Sequence, residues 1–263
     1  MPSTPLNARD QLLTDWVAQR FPGQDVPVVP ASADASFRRY FRLSLPDGTT
    51  RILMDAPPEH EDCRPFIKVA ALLAKAGLAA PRVLDQDLEQ GFLLLTDLGR
   101  IGYLEALHAD LSLADTLIRP VLDTLVRWQL ASSAATLPPY DAAMLRRELE
   151  LFPEWFIGRH LGVTLADNEK LLLERSFKYL INAALNQPKV YVHRDFMPRN
   201  LMLVESEQAL TPAIIDFQDA VYGPITYDVV SLFRDAFISW DEEQEIDWVV
   251  RYWEKARAAG LPV

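Results

Sequence analysis

The chain has 263 residues, 49% of them apolar, enough to bury one large core or two modest lobes. Its formal net charge of −11 excludes a nucleic-acid binder held by a broad phosphate-neutralising surface. Cys63 is the sole cysteine, which excludes an intramolecular disulfide or a cysteine-ligated metal cluster.

In chain order, Arg9 to Phe21 sets Leu12, Leu13, Trp16, Val17 and Phe21 at helical spacing, ended by Pro22-Gly23. From Met1 to Trp16 no apolar stretch stands behind a basic cap, and no run approaches the roughly 18 apolar residues of a membrane helix. The cytoplasm is therefore the expected location. Phe37 to Leu45 and Thr50 to Met54 are β-prone on either side of Pro46-Asp47-Gly48, which predicts a hairpin. Cys63 to Lys75 has a helical pattern closed by Gly77 and Pro81. Arg82 to Leu84 and Phe92 to Leu95 predict two more strands around an acidic turn, and Thr96-Asp97-Leu98-Gly99 then breaks the β pattern. Helices are expected over Ala114 to Ala131, Asp141 to Arg159 and Asp167 to Leu185, the last stopped by Gln187-Pro188. Short strands follow at Val190 to Val192, Leu201 to Val204 and Ala213 to Phe217, with a polar turn around Ser206, and helices return from Tyr227. The acidic cluster Asp241 to Glu245 suits the first turn of a helix, where carboxylates complement the dipole. The expected fold class is α+β, a bilobal protein-kinase-like fold. Residues 1–95 would form a small antiparallel β-rich N-lobe, 96–99 a hinge, and 100–263 a larger, mostly helical C-lobe with the catalytic loop.

Two strings carry the chemistry. His193-Arg194-Asp195 is followed after four residues by Asn200, and Ile214-Ile215-Asp216-Phe217 is an apolar strand ending in Asp-Phe. Phosphoryl transfer asks the protein to place donor and acceptor and to neutralise developing charge. This set offers one carboxylate for an attacking hydroxyl, Asp195, and an amide and a carboxylate for magnesium, Asn200 and Asp216. Either carboxylate alone could simply cap a turn; their joint spacing favours catalysis. His193 and Arg194 are expected to organise the loop. Asp228 would either cap a helix or reach back to the loop backbone as structural support. Arg199 would contact the γ-phosphate or an acidic substrate group, or else face solvent. The other histidines, His60, His108 and His160, are scattered without metal-ligand spacing.

The donor side departs from the usual pattern. Ala31 to Phe37 stands where a glycine-rich phosphate loop belongs but has no glycine, so the amides of Ser36 and Phe37 are expected to approach ATP phosphates. The strand ending in Met54-Asp55 lacks a lysine for the α- and β-phosphates. Lys68, Arg38 or Arg39 is expected to supply that charge, although a surface position is the simpler account of Lys68. Backbone groups of Thr96, Asp97 and Leu98 would read adenine between apolar walls such as Leu45, Ile52 and Leu95. On the acceptor side Glu148 or Trp155 is a candidate sugar contact; a helix with a solvated charged face is the competing account.

Ala35-Ser36-Phe37-Arg38-Arg39-Tyr40-Phe41-Arg42, Leu53 to Glu59, His193 to Phe196 and Ile215 to Pro224 together resemble the aminoglycoside phosphotransferase superfamily. Within it, the chain from about Ala31 to Arg234 is most similar to the bacterial anomeric kinases of N-acetylmuramate and N-acetylglucosamine. The resemblance implies ATP- and magnesium-dependent phosphorylation of the reducing-end hydroxyl to an α-1-phosphate, in peptidoglycan recycling of the cell wall. It implies Asp195 as base and Asn200 and Asp216 as metal ligands. Such kinases usually continue several tens of residues past the position of Val263, so a truncated or naturally shortened chain is expected here. The expected partner is a small amino sugar, with no nucleic acid and no membrane, and a monomer is expected. Two other readings stay open: a phosphotransferase of aminoglycosides or other small alcohols, and a catalytically silent nucleotide-binding module. The missing glycine loop and lysine motivate the last, and the complete Asp195, Asn200 and Asp216 set opposes it. A protein kinase is disfavoured, because no Ala-Pro-Glu segment follows Asp216.

Overall fold

The computed structural model describes residues 8–33, 37–205 and 210–263. Ser36 and the polar turn expected around Ser206 lie outside the described residues. The first part is an antiparallel sheet of β1 (Val28–Ala33), β2 (Arg39–Ser44), β3 (Thr50–Asp55), β4 (Val83–Asp87) and β5 (Phe92–Thr96), in the order β1-β2-β3-β5-β4. Period-two alternation sends its apolar residues to opposite faces. Leu43, Leu53, Phe92 and Leu94 pack against Leu13, Trp16 and Val17 of α1 (Ala8–Arg20). Met54, Leu93 and Leu95 pack on the other face with Phe66, Val69 and Leu73 of α2 (Cys63–Lys75), in a core that continues into the helical part. Asp55, at the end of β3, is fully buried and held by Arg9 at 2.6 Å and Arg39 at 2.5 Å. The Arg9 pair ties α1 to the sheet, the Arg39 pair links β2 to β3, and both offset the cost of desolvating the carboxylate.

After Thr96 the chain becomes largely helical, with α3 (Tyr103–Ala109), α4 (Ala114–Leu130), α5 (Ala142–Leu151), α6 (Asp167–Leu185), α7 (Tyr227–Phe233) and α8 (Glu242–Ala258). The helix expected to run unbroken from Asp141 to Arg159 changes character at Phe152. A π-helical segment, Phe152–His160, takes over beside Pro153, which has no N–H to continue the α ladder. Four short strands frame the loops of interest: β6 (Lys189–Val192) pairs with β9 (Val221–Pro224), and β7 (Leu201–Glu205) with β8 (Leu210–Ile214). The strand expected through Phe217 therefore ends at Ile214, and Asp216 sits in a turn at φ +61°. Neither β1 nor β9 was expected as a strand. Among the described residues no helix is long and apolar enough to cross a membrane.

Candidate active site

Beyond β6 the chain turns through His193 and Arg194, and Arg194 adopts φ +81°, uncommon for a residue with a side chain. Such a conformation persists where the surroundings hold it. Here the amides of His193 and Arg194 donate to the Asp228 carboxylate at 2.8 and 3.0 Å, and the Arg194 carbonyl accepts from the Ser231 hydroxyl at 3.1 Å. Asp228 is fully buried on α7, and that burial pushes its pKa up to about 7 despite the two donors. The His193 ring, also buried, lies with Nε2 3.0 Å from the carbonyl of Ile215. Burial lowers its pKa to about 4, so the neutral ring donates from Nε2 and joins the two strings. The amide of Ile215 in turn donates to the Asn200 carbonyl at 3.0 Å.

Asp195, Asn200 and Asp216 are thereby gathered. The Asn200 side-chain nitrogen donates to the Asp195 carbonyl at 2.9 Å, and Gln218 donates to Asp216 Oδ1 at 2.9 Å. Burial raises the pKa of the Asp195 carboxyl, the nearby Asp216 charge raises it further, and Arg194 opposes both. Asn200 and Asp216 lie in the wall of a cleft of about 540 Å³ whose lining also includes Ile52, Leu95, Thr96, Asp97, Leu98 and Arg199. Leu45 is not part of that lining. The cleft is walled by the sheet on one side and by the β7–β8 region on the other.

The remaining candidates fall in varied places. The Asp97 side chain is engaged by Arg42 at 2.5 and 3.0 Å and by the Gly99 amide at 3.0 Å. Burial works against its ionised form, but these bonds hold the carboxyl below its ordinary range. Arg38 pairs with Glu61 at 2.8 Å, Arg39 is taken up by Asp10 and Asp55, and Lys68 is exposed on α2. None of the three lines the cleft. Phe37 is exposed and stacks on His60 with ring centroids 4.3 Å apart. Arg199, exposed at the cleft, lies 4.6 Å over the Phe237 ring. Glu148 pairs with Arg194 at 2.5 Å, whereas Trp155 stands exposed on the π-helical segment under the guanidinium of Arg159. Sequence reasoning missed Arg42, Tyr140, Tyr227 and the Gln218 bond. Gln218 sits two residues from Asp216 and was within reach; Arg42 and Tyr227 act across 55 and 79 positions, and Tyr140 reaches Glu148 across eight, none with a local signature.

Comparison with known proteins follows the same lines. The model of the phosphotransferase enzyme family matches residues 27–261. A Pseudomonas aeruginosa protein named N-acetylmuramate/N-acetylglucosamine kinase is 51% identical over 98% of this chain and 77% of its own length. Its namesake from Neisseria meningitidis is 45% identical over 95% of this chain and 74% of its own length. Among solved structures, aminoglycoside phosphotransferase APH(2'')-Ib with ADP superposes with a TM-score of 0.62 at 16% identity, covering 97% of this chain and 86% of that one. APH(3'')-Id from Streptomyces rimosus, with ADP and streptomycin, gives 0.60 at 19% identity, covering 95% and 92%. Those two likenesses establish the kinase-like fold, and the family match together with relatives at about half identity establishes descent: the chain belongs to the phosphotransferase enzyme family.

Proposed function

We propose that this protein transfers the γ-phosphoryl group of ATP to the anomeric hydroxyl of N-acetylmuramate or N-acetylglucosamine, in the cytoplasm. The observation that carries the reading is that Asn200 and Asp216 line one cleft while the Asn200 side chain is bonded to the Asp195 carbonyl, the whole loop pinned through His193 and Asp228. The names of the curated relatives supply the acceptor.

In this reading Asp195 accepts a hydrogen bond from the anomeric hydroxyl and takes its proton as the new O–P bond forms. Its raised pKa makes it a better proton acceptor than an exposed carboxylate. A hemiacetal hydroxyl is more acidic than an ordinary alcohol, which lightens that task. Asn200 and Asp216 would hold magnesium. The donor set fits, because this hard cation commonly takes only one or two protein oxygens and completes its shell with phosphates and water. The Asn200 nitrogen is committed to the Asp195 carbonyl, which leaves its oxygen for the metal. A magnesium ion held there would supply charge neutralisation at the phosphates. The Thr96 to Leu98 backbone and the walls at Ile52 and Leu95 suit an adenine.

Incubation with Mg-ATP and either sugar should release ADP and consume reducing ends in equal amounts. ADP release with reducing ends intact would place the phosphate on another hydroxyl and overturn the anomeric assignment.

A further inference from the structure

Glu148 on α5 lies 46 positions from Arg194 in the sequence, yet its carboxylate is filled from three sides. Oε1 accepts from the Arg194 guanidinium at 2.5 Å, and Oε2 accepts from the hydroxyls of Tyr140 and, at 3.2 Å, Tyr227. The two tyrosine rings meet edge-on at 5.2 Å, so the carboxylate sits in a built socket rather than on a solvated helix face. Its hydrogen-bonding capacity is largely spent inside the protein, which argues against the sugar contact expected from sequence. Arg194 immediately precedes Asp195 and holds a left-handed backbone. Asp228 and Ser231 grip its main chain, and Glu148 grips the far end of its side chain.

We propose that Glu148 is a positioning residue that acts through Arg194 to aim the Asp195 carboxylate at the acceptor hydroxyl. The proposal rests on the phosphotransferase reading above. Two physical effects combine. Clamping both ends of Arg194 removes slack from the residue next to the base, and displacements near 1 Å at a reacting group are costly to rate. Pairing the guanidinium with Glu148 also keeps it from closing on Asp195 or Asp219, the other carboxylates whose charge it senses. An Asp195 captured in such an ion pair would be a poorer acceptor for the sugar proton.

The test compares wild type with Glu148→Ala, Glu148→Gln, Arg194→Ala and the Glu148→Ala/Arg194→Ala double variant. It measures kcat, KM for ATP, KM for the sugar, and Tm. Glu148→Ala should lose about tenfold or more in kcat with both KM values within about twofold. Glu148→Gln can still accept from Arg194 and donate to a tyrosine, so it should recover most of that loss. The double variant should be no slower than the slower single variant, because both changes break one connection. A raised sugar KM at unchanged kcat would make Glu148 a substrate contact. A lowered Tm at unchanged kcat would make it a purely structural residue, and additive losses would uncouple it from Arg194; each result overturns the proposal. Failure of the wild type to turn over any sugar would instead strike the phosphotransferase reading itself.

Discussion

His193 and Asp228 touch through a backbone amide and bend the pH dependence of stability in opposite directions. The His193 pKa falls from an ordinary 6.5 to about 4 in the folded protein. The unfolded chain therefore binds more protons between those values, and stability is lost as pH drops through that window. The Asp228 pKa rises to about 7, so the folded state binds the extra proton and acidification below 7 adds stability. The two slopes offset each other in the wild type, which hides both. Replacing one exposes it. Relative to His193→Gln, the wild type should lose about 2 kcal/mol of unfolding free energy between pH 7 and pH 5, because roughly 1.5 pH units of the window are crossed at about 1.4 kcal/mol each. Urea unfolding at the two pH values measures it, and an unchanged difference would mean that the ring is not held neutral. At the same scale, Asp195→Asn keeps the shape of the loop but removes the proton acceptor. It should lower kcat at least about a hundredfold, with nucleotide affinity within about twofold by calorimetry. A smaller fall would assign the base elsewhere.

At the scale of elements, Gly223 on β9 has no room for a side chain. A Cβ there would lie 2.7 Å from the Cβ of Tyr140. That tyrosine has little freedom to retreat, because its amide donates to the Tyr222 carbonyl at 2.9 Å and the Tyr222 amide to the Pro138 carbonyl at 2.7 Å. Gly223→Ala should cost about 1–3 kcal/mol through overpacking, a fall in Tm of roughly 3–10 °C. It should also slow turnover, since Tyr140 supports Glu148. A variant as stable and as fast as the wild type would show that β9 and the 138–140 segment part easily. The same strand shows where local pattern stops being informative. Val221-Tyr222-Gly223-Pro224 carries no strand pattern of its own, and it becomes a strand by pairing with Lys189 to Val192. β1 carries Pro30, which signals a loop, but an edge strand tolerates a missing donor, and the register shifts beside it. By contrast α2 and α6 begin and end where the pattern says. Asp62 caps the first from its own side chain, and Glu169 reaches back to the Ala166 amide in the second, so their limits are set locally. The candidate site divides in the same way. Asp195, Asn200 and Asp216 stand in two short strings that a reader can see, whereas the pairing of Arg42 with Asp97 spans 55 positions and that of Glu148 with Arg194 spans 46. Arg39 is the instructive case: its charge fitted a phosphate, but the buried Asp55, which already pairs with Arg9, claimed it.

Across the whole molecule, the cleft takes its wall from two differently built parts. Ile52 and Leu95 come from the sheet, while Asn200, Ile215 and Asp216 come from the region of β7 and β8. A nucleotide seated there touches both parts at once and would couple their stabilities. Nothing among the described residues gathers three or more histidine, cysteine or acidic side chains into a metal cage. With only Asn200 and Asp216 offering protein oxygens in the proposed site, phosphates and water would complete the magnesium shell, and its binding should depend on the nucleotide. Mg-ADP at about a hundredfold its Kd should add roughly 2.7 kcal/mol to the unfolding free energy, seen as a rise in Tm of about 5–10 °C. Magnesium alone, at millimolar concentration, should move Tm very little, and chelation should remove much of the gain that ADP gives. In Asp216→Asn the gain from ADP should become nearly indifferent to the metal, because the charged oxygen that joins protein to cation is gone. Equal shifts with ADP in the presence and absence of magnesium, in the wild type, would detach the metal from Asp216 and leave the nucleotide held by the apolar walls and the chain segment after β5 alone.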